Sequence, residues 1–216
     1  MTGVGEPTRL VAIRHGETAW NAESRLQGQI DIALNERGRR QATTLAHALR
    51  EEGLQAVFAS DLGRAWATAQ ALAGPLGLPL QADAGLRERG FGQLEGHTYA
   101  EIDAQWPELA RRWRTREPGW APPGGESLSV FADRCIGTIA RLARAHAGQS
   151  IALVCHGGVL DCLYRAATHV PLDMPRSWAL DNAAINRLLC TPQGFSLIGW
   201  NDSAHLDGLI LDDTST

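Results

Sequence analysis

The sequence predicts an α/β fold: a three-layer sandwich with helices on both faces of a mostly parallel central sheet and an antiparallel edge strand. Three observations carry this. The wholly apolar runs Leu10-Val11-Ala12-Ile13, Ala56-Val57-Phe58-Ala59 and Ile151-Ala152-Leu153-Val154 have the length of buried strands. Segments of helical spacing separate them, the signature of strands laid parallel through crossover helices. Near the end, Asn186 to Thr191 and Phe195 to Trp200 flank Pro192-Gln193-Gly194 and read as a hairpin.

Each element has its own signal. Thr8 to Ile13 is a short, β-branched strand leading into Gly16. Asn35 is a good N-cap for a helix to Glu52, with Leu45, Ala48 and Leu49 as its apolar stripe and Gly53 as its stop. After the strand at 56–59, Ser60-Asp61 caps a helix through Arg64, Thr68 and Leu72 that should stop before Gly74-Pro75. Leu78-Pro79-Leu80 suits a short edge strand, where a proline is tolerated. Tyr99 to Arg114 is helical, and Pro107 must kink or split it. Gly119 to Gly125 is a loop. Leu128, Phe131, Cys135, Ile139 and Leu142 recur at three and four along a helix from Glu126 to His146. The third buried strand, Ile151 to Cys155, leads into a helix from Gly158 to Ala167. The polar tail, Asp212 to Thr216, should fray.

Composition narrows the class. A chain of 216 residues, 44% hydrophobic, supports one substantial core, so residues 1–216 are expected to form a single domain, with a lid-like helical insertion around 97–125. The net charge of −4 argues against a nucleic-acid binder that relies on phosphate contacts. Cys135, Cys155, Cys162 and Cys190 form no CxxC pair, which fits buried free thiols in a reducing compartment. The N-terminus lacks an apolar leader, and no apolar run reaches membrane-spanning length. A soluble cytoplasmic protein without membrane or nucleic-acid partners is expected. Monomer and homodimer are both open.

Two of the buried runs end alike, in Arg14-His15-Gly16-Glu17-Thr18 and in Cys155-His156-Gly157-Gly158. Ligands of open α/β sheets bind beyond the carboxyl ends of the strands, where both histidines fall. Arg64, just inside a helix start, reaches the same edge. Glu88 lies in a loop between Arg87 and Arg89, where an ordinary salt bridge is its alternative role. Two imidazoles, two guanidinium groups and a carboxyl suit phosphoryl transfer. Arginine pairs bind phosphate oxygens bidentately, a neutral imidazole can take up the phosphoryl group, and a carboxylic acid can protonate the leaving alkoxide. No HxxxH, HExxH or aspartate cluster suggests a metal, so no metal or other cofactor is expected. The basic, aromatic stretch from Arg111 to Arg116 reads as part of a lid or as a solvated helix face.

The motifs carry a resemblance. Arg14-His15-Gly16-Glu17-Thr18 with Trp20-Asn21, Gln27-Gly28, Ser60-Asp61-Leu62-Gly63-Arg64-Ala65 with Thr68, Glu88-Arg89-Gly90-Phe91-Gly92, Gly124-Gly125-Glu126-Ser127 and His156-Gly157 follow one another in order. The chain resembles the histidine phosphatase superfamily, in the branch of cofactor-dependent phosphoglycerate mutases and small bacterial phosphatases. The resemblance runs from about Arg9 to His205. It implies that His15 is the nucleophile, that Arg14, Arg64 and His156 form the phosphate pocket, and that Glu88 is the proton donor and later the base for water. It makes Asn21 a phosphate contact. Gln27, Gly28 and Arg89 match substrate-contacting positions of the mutases.

The implied activity is a metal-independent phosphomonoesterase, working through a phosphohistidine on a small-molecule phosphate monoester. The alternative is a cofactor-dependent phosphoglycerate mutase. Two departures favour hydrolysis. Mutases of the family carry His-Gly-Asn where this chain has His156-Gly157-Gly158. The pattern around Arg111-Arg112 also lacks their longer basic insertion. A non-catalytic phosphoester-binding module would be expected to lack the nucleophile or the acid, and both are present.

Overall fold

The computed structural model describes residues 6–209, so the expected frayed tail at 212–216 lies outside the described residues. Six strands form one sheet in the order β3-β2-β4-β1-β5-β6: β1 (Thr8–Arg14), β2 (Ala56–Ala59), β3 (Leu80–Ala82), β4 (Ser150–Cys155), β5 (Ile185–Thr191) and β6 (Gly194–Asp202). β3, β2, β4 and β1 are parallel, whereas β5 pairs antiparallel with β1 and with the edge strand β6. The expected fold class is the observed one.

Alternation along the buried strands builds two cores. Leu10, Ala12, Ala56, Phe58, Ile151, Leu153 and Cys155 face one side; Val11, Ile13, Val57, Ala59, Ala152 and Val154 face the other. Successive side chains point to opposite faces, so a strand covered on both sides must be apolar throughout. The first face is covered by α6 (Leu128–Ala145) and α7 (Gly157–Thr168), and the second by α2 (Glu36–Ala48) and α3 (Gly63–Leu76). A third cluster joins Leu26 and Leu94 to Ile102 of α4 (Tyr99–Gln105) and Ala110 of α5 (Pro107–Thr115). A further short helix, α1, spans Ala19–Ala22.

The boundaries show what local signals decide. Asn35 accepts from the Gly38 N–H at 2.7 Å and caps α2 as expected, although the helix ends at Ala48 rather than Glu52. Pro107 splits its segment and becomes the first residue of α5, where the missing N–H costs nothing. α3 differs from expectation at both ends. Its N-cap position is Leu62, without a side-chain cap. Asp61 instead pairs with Arg87, and Asp31 accepts from the Gly63 N–H at 2.8 Å. The helix also runs through Pro75 before Gly77, at φ 64°, closes it in the left-handed conformation. The strand expected at Leu78-Pro79-Leu80 is observed two residues later, at Leu80–Ala82, with Pro79 just outside it.

Candidate active site

The parallel register sets the site. Arg14 pairs with Cys155 and Ala59 with Val154, so β1, β4 and β2 end level and release His15, His156 and Ser60 along one edge. The His15 N–H donates to the Cys155 carbonyl at 3.0 Å, continuing the ladder by one residue. Beyond the ladder the chain turns against the start of α2. A Cβ on Gly16 would lie 2.4 Å from the Gly38 carbonyl oxygen, and one on Gly38 would lie 2.0 Å from that of Glu17. Only glycines permit this backbone-to-backbone approach. The Gly16 N–H donates to Thr68 Oγ1 at 3.0 Å, which ties the loop to α3.

His15 is buried, and its Nδ1 stands 2.7 Å from the Gly16 carbonyl. A carbonyl only accepts, so Nδ1 carries the proton and Nε2 keeps its lone pair. Burial, then the charges of Arg64 and Arg14, hold the His15 pKa well below the ordinary histidine value, against the opposing effect of the Gly16 hydrogen bond. His156 is the N-cap residue of α7, with its ring 5.2 Å from that of His15. Its pKa is likewise held low by burial and by Arg64, His15, Arg14 and Arg134. Neither of its ring nitrogens has a hydrogen-bond partner in the protein.

The buried arginines are anchored through backbone carbonyls. Arg64, 1% exposed, donates to Ile30 O at 2.9 Å and Gly28 O at 2.7 Å, and its Nε is unpartnered. Arg14 donates to the Leu180 carbonyl, and its Nε is also unpartnered. Arg89 donates to Glu126 O at 2.9 Å and Trp120 O at 3.3 Å and lies over the Trp113 ring; burial brings its pKa down to about 10, so it remains a cation near neutrality. A carbonyl fixes a guanidinium without neutralising it, whereas a carboxylate partner would. These charges therefore stay available to an anionic ligand.

A cavity of about 970 Å³ opens over this edge, lined by Arg14, His15, Asn21, Gln27, Gly28, Arg64, Glu88 and Arg89 among others. The nine sequence-predicted site residues thus come together, eight in the cavity lining and His156 beneath His15. Asn21 Oδ1 is occupied by the Thr18 N–H, which leaves its amide Nδ2 as the donor. Gln27 Oε1 is buried and unpartnered. Glu88 accepts the Arg89 N–H at 2.8 Å through Oε1 and the Gly158 N–H at 3.0 Å through Oε2. The neighbouring Arg87 pairs with Asp61 at 2.6 Å and not with Glu88, whose alternative role as an ordinary salt-bridge partner is therefore not the one observed. Among the described residues, no three His, Cys, Asp or Glu side chains converge on a possible metal position. No helix there is long and apolar enough to cross a membrane. The four cysteines are free and buried.

A family model described as histidine phosphatase superfamily, branch 1, matches residues 10–203. The chain belongs to the histidine phosphatase superfamily. Its enzyme class is that of a phosphatase, a hydrolase. It is 37% identical over 202 residues to phosphoglycerate mutase-like protein 4 of Arabidopsis thaliana, covering 92% of this chain and 86% of that one. It is 36% identical over 207 residues to the metal-independent phosphoserine phosphatase of the same plant, covering 94% and 85%. A mycobacterial glucosyl-3-phosphoglycerate phosphatase solved with VO3 superposes with a TM-score of 0.81 at 36% identity, over 90% of this chain and 99% of that one.

Sequence reasoning missed Asn182 in this histidine phosphatase's site. Asn182 Nδ2 donates to the His15 carbonyl at 2.9 Å and to Asn21 Oδ1 at 3.2 Å. The signal was available: β5 runs antiparallel, so the chain entering it must pass the edge where β1 ends. Arg116 and Trp113 of the 111–116 stretch line the cavity, whereas Arg111 and Arg112 pair with Glu108 and Glu117 on the surface. That stretch therefore has one face on the cavity and one in solvent. Trp106 packs into the third cluster instead.

Proposed function

We propose that the protein is a metal-independent phosphomonoesterase that acts through a phosphohistidine at His15 on a small organic phosphate. The observation that carries this reading is the Nδ1 contact of His15 with the Gly16 carbonyl, which leaves Nε2 as a buried lone pair beside Arg14 and Arg64. Nε2 attacks phosphorus while the bond to the leaving oxygen breaks in line with it. Arg14, Arg64, the Asn21 amide and one ring N–H of His156 donate to the non-bridging oxygens, where charge gathers in the transition state. Glu88 gives its proton to the departing alkoxide. It then takes one from the water that attacks the phosphohistidine, releasing inorganic phosphate and restoring both side chains.

The leaving group occupies the wider part of the cavity, beside Gln27, Gly28 and Arg89, with α4 and α5 as its lid. Trp113 and Trp120 line it beside the carbonyl-held Arg89 cation, while Arg116 pairs with Asp161 at 2.8 Å, and this suits an alcohol larger than glycerate or one bearing an acid group. The names of the relatives, phosphoserine phosphatase and glucosyl-3-phosphoglycerate phosphatase, support that class. Turnover of p-nitrophenyl phosphate without added metal tests the reading. Wild type should release p-nitrophenol and carry an acid-labile label on residue 15 after brief mixing with a labelled substrate, and His15→Ala should do neither. Wild-type activity in His15→Ala would end the reading. With 3-phosphoglycerate and trace 2,3-bisphosphoglycerate, free phosphate marks the phosphatase and 2-phosphoglycerate marks a mutase.

A further inference from the structure

Glu88 is held from two sides. Its main chain is clamped by Arg134, which donates to the carbonyls of Gly85 at 3.0 Å, Arg87 at 3.0 Å and Glu88 at 3.2 Å. Arg134 is itself fixed by Glu126, at 2.9 and 2.8 Å. Gln29 Nε2 donates to the same Glu88 carbonyl at 3.2 Å. The carboxyl end, by contrast, rests against the first turn of α7. Oε2 accepts the Gly158 N–H at 3.0 Å, and a Cβ built on Gly158 would stand 2.2 Å from Oε1, 3.1 Å from Cδ and 3.1 Å from Phe131 Cε1. Only a residue without a side chain leaves the carboxyl this place.

We propose that residue 158 is a positioning residue for the proton donor: Gly158 sets where the Glu88 carboxyl stands, by its N–H and by its missing Cβ. This rests on the reading of Glu88 as the donor. An N–H cannot accept a hydrogen bond, so a proton on the carboxyl cannot lie between an oxygen and either amide. The amides of Arg89 and Gly158 occupy one lone-pair direction on each oxygen. The acidic proton is left the directions away from them, toward the cavity that Glu88 lines. A methyl group at 158 displaces the flexible end of the glutamate and not its clamped main chain. It therefore moves the acid without removing the carboxyl group.

The test is the dependence of kcat/KM on leaving-group pKa over a series from p-nitrophenyl to alkyl phosphates. A misplaced donor harms poor leaving groups most, because p-nitrophenolate needs little protonation. General-acid assistance is worth roughly 10²- to 10⁴-fold, so Gly158→Ala should lower the alkyl-to-p-nitrophenyl ratio about tenfold or more. Glu88→Gln should lower it further. In the Glu88→Gln background, Gly158→Ala should leave the ratio where it is, since no acid remains to misplace. Glu88→Asp, one carbon shorter, withdraws the carboxyl from residue 158; the methyl there should then shift the ratio less than in wild type. This pair covers the case in which Gly158→Ala alone folds poorly. Equal losses across the series in Gly158→Ala, with Glu88→Gln selective, would overturn the proposal and leave the donor intact. No selectivity in Glu88→Gln would remove the donor, and the proposal with it.

Discussion

The imidazole of His15 lies 5.2 Å from that of His156, centroid to centroid, with the rings tilted by 59°. Both are buried between the Arg14 and Arg64 charges, and each is kept neutral by the same causes. A protonated pair at that spacing would set two like charges in a site that already holds two.

This makes stability depend on pH. In the unfolded chain both histidines take up protons below about pH 6.5; in the folded protein they do so only well below it. Between those limits the unfolded state binds more protons, so stability rises with pH. It is fully present above about 6.5 and falls as the solution is acidified, by roughly 1.4 kcal/mol per pH unit for each histidine. Urea unfolding at pH 7.5, 6.0 and 5.0 should show the pair losing about 3 kcal/mol per unit below pH 6. His156→Gln should roughly halve that slope. A flat profile would contradict the neutral, buried pair.

Arg64→Ala should lower kcat/KM about 10²- to 10³-fold, the usual cost of deleting one donor to transition-state charge. It should also destabilise the fold by roughly 1–3 kcal/mol, because the Gly28 and Ile30 carbonyls lose their donor. Arg64→Lys keeps the charge but loses the two-pronged grip on those carbonyls, so little activity should return. Steady-state kinetics beside thermal unfolding of the two variants distinguishes charge from geometry.

Asn182→Ala removes the donor shared by the His15 carbonyl and Asn21 Oδ1. Its stability loss should be about 1–2 kcal/mol. Its kcat should fall more than its KM changes, because the nucleophile and one phosphate donor shift together. Asn182→Asp, which can donate through neither oxygen at neutral pH, should be no better. A KM effect alone would place Asn182 outside the His15 support.

Gly38→Ala is remote from the chemistry yet should abolish it. Its Cβ would fall 2.0 Å from the Glu17 carbonyl oxygen, and that contact is backbone, which has no rotamer to yield. A loss of more than about 2 kcal/mol is expected, together with displacement of the loop that follows His15. Gly137→Ala, with open space around its Cβ, is the control on a helix and should be neutral or slightly stabilising. Unfolding midpoints of the two variants decide it.

Much of the fold and of the site is legible in the sequence. The runs at 10–13, 56–59 and 151–154 announced buried strands because a strand covered on both faces carries no polar side chain. Pro107 announced a break because its ring and missing N–H cannot sit inside a helix. His15 and His156 were legible as a pair because parallel strands end at one edge. The start of α3 was misread for an instructive reason. Ser60-Asp61 has the local form of a cap, but the carboxylate that meets the Gly63 N–H comes from Asp31. A short-range pattern does not disclose a partner 32 positions earlier.

The order of the elements, the two-faced burial of the central strands and the residue types at the strand ends are readable from the chain alone, because periodicity and strand direction follow from local backbone geometry. Which ring nitrogen of His15 is free, which guanidinium atoms remain unpartnered and where the Glu88 carboxyl rests follow from the folded arrangement. Those depend on contacts with Gly16, Gly28, Leu180, Gly158 and Asn182, brought together from segments far apart in the chain. A hydrogen bond is set by ångströms and angles. The sequence fixes which donors and acceptors exist, and the fold alone brings them within reach.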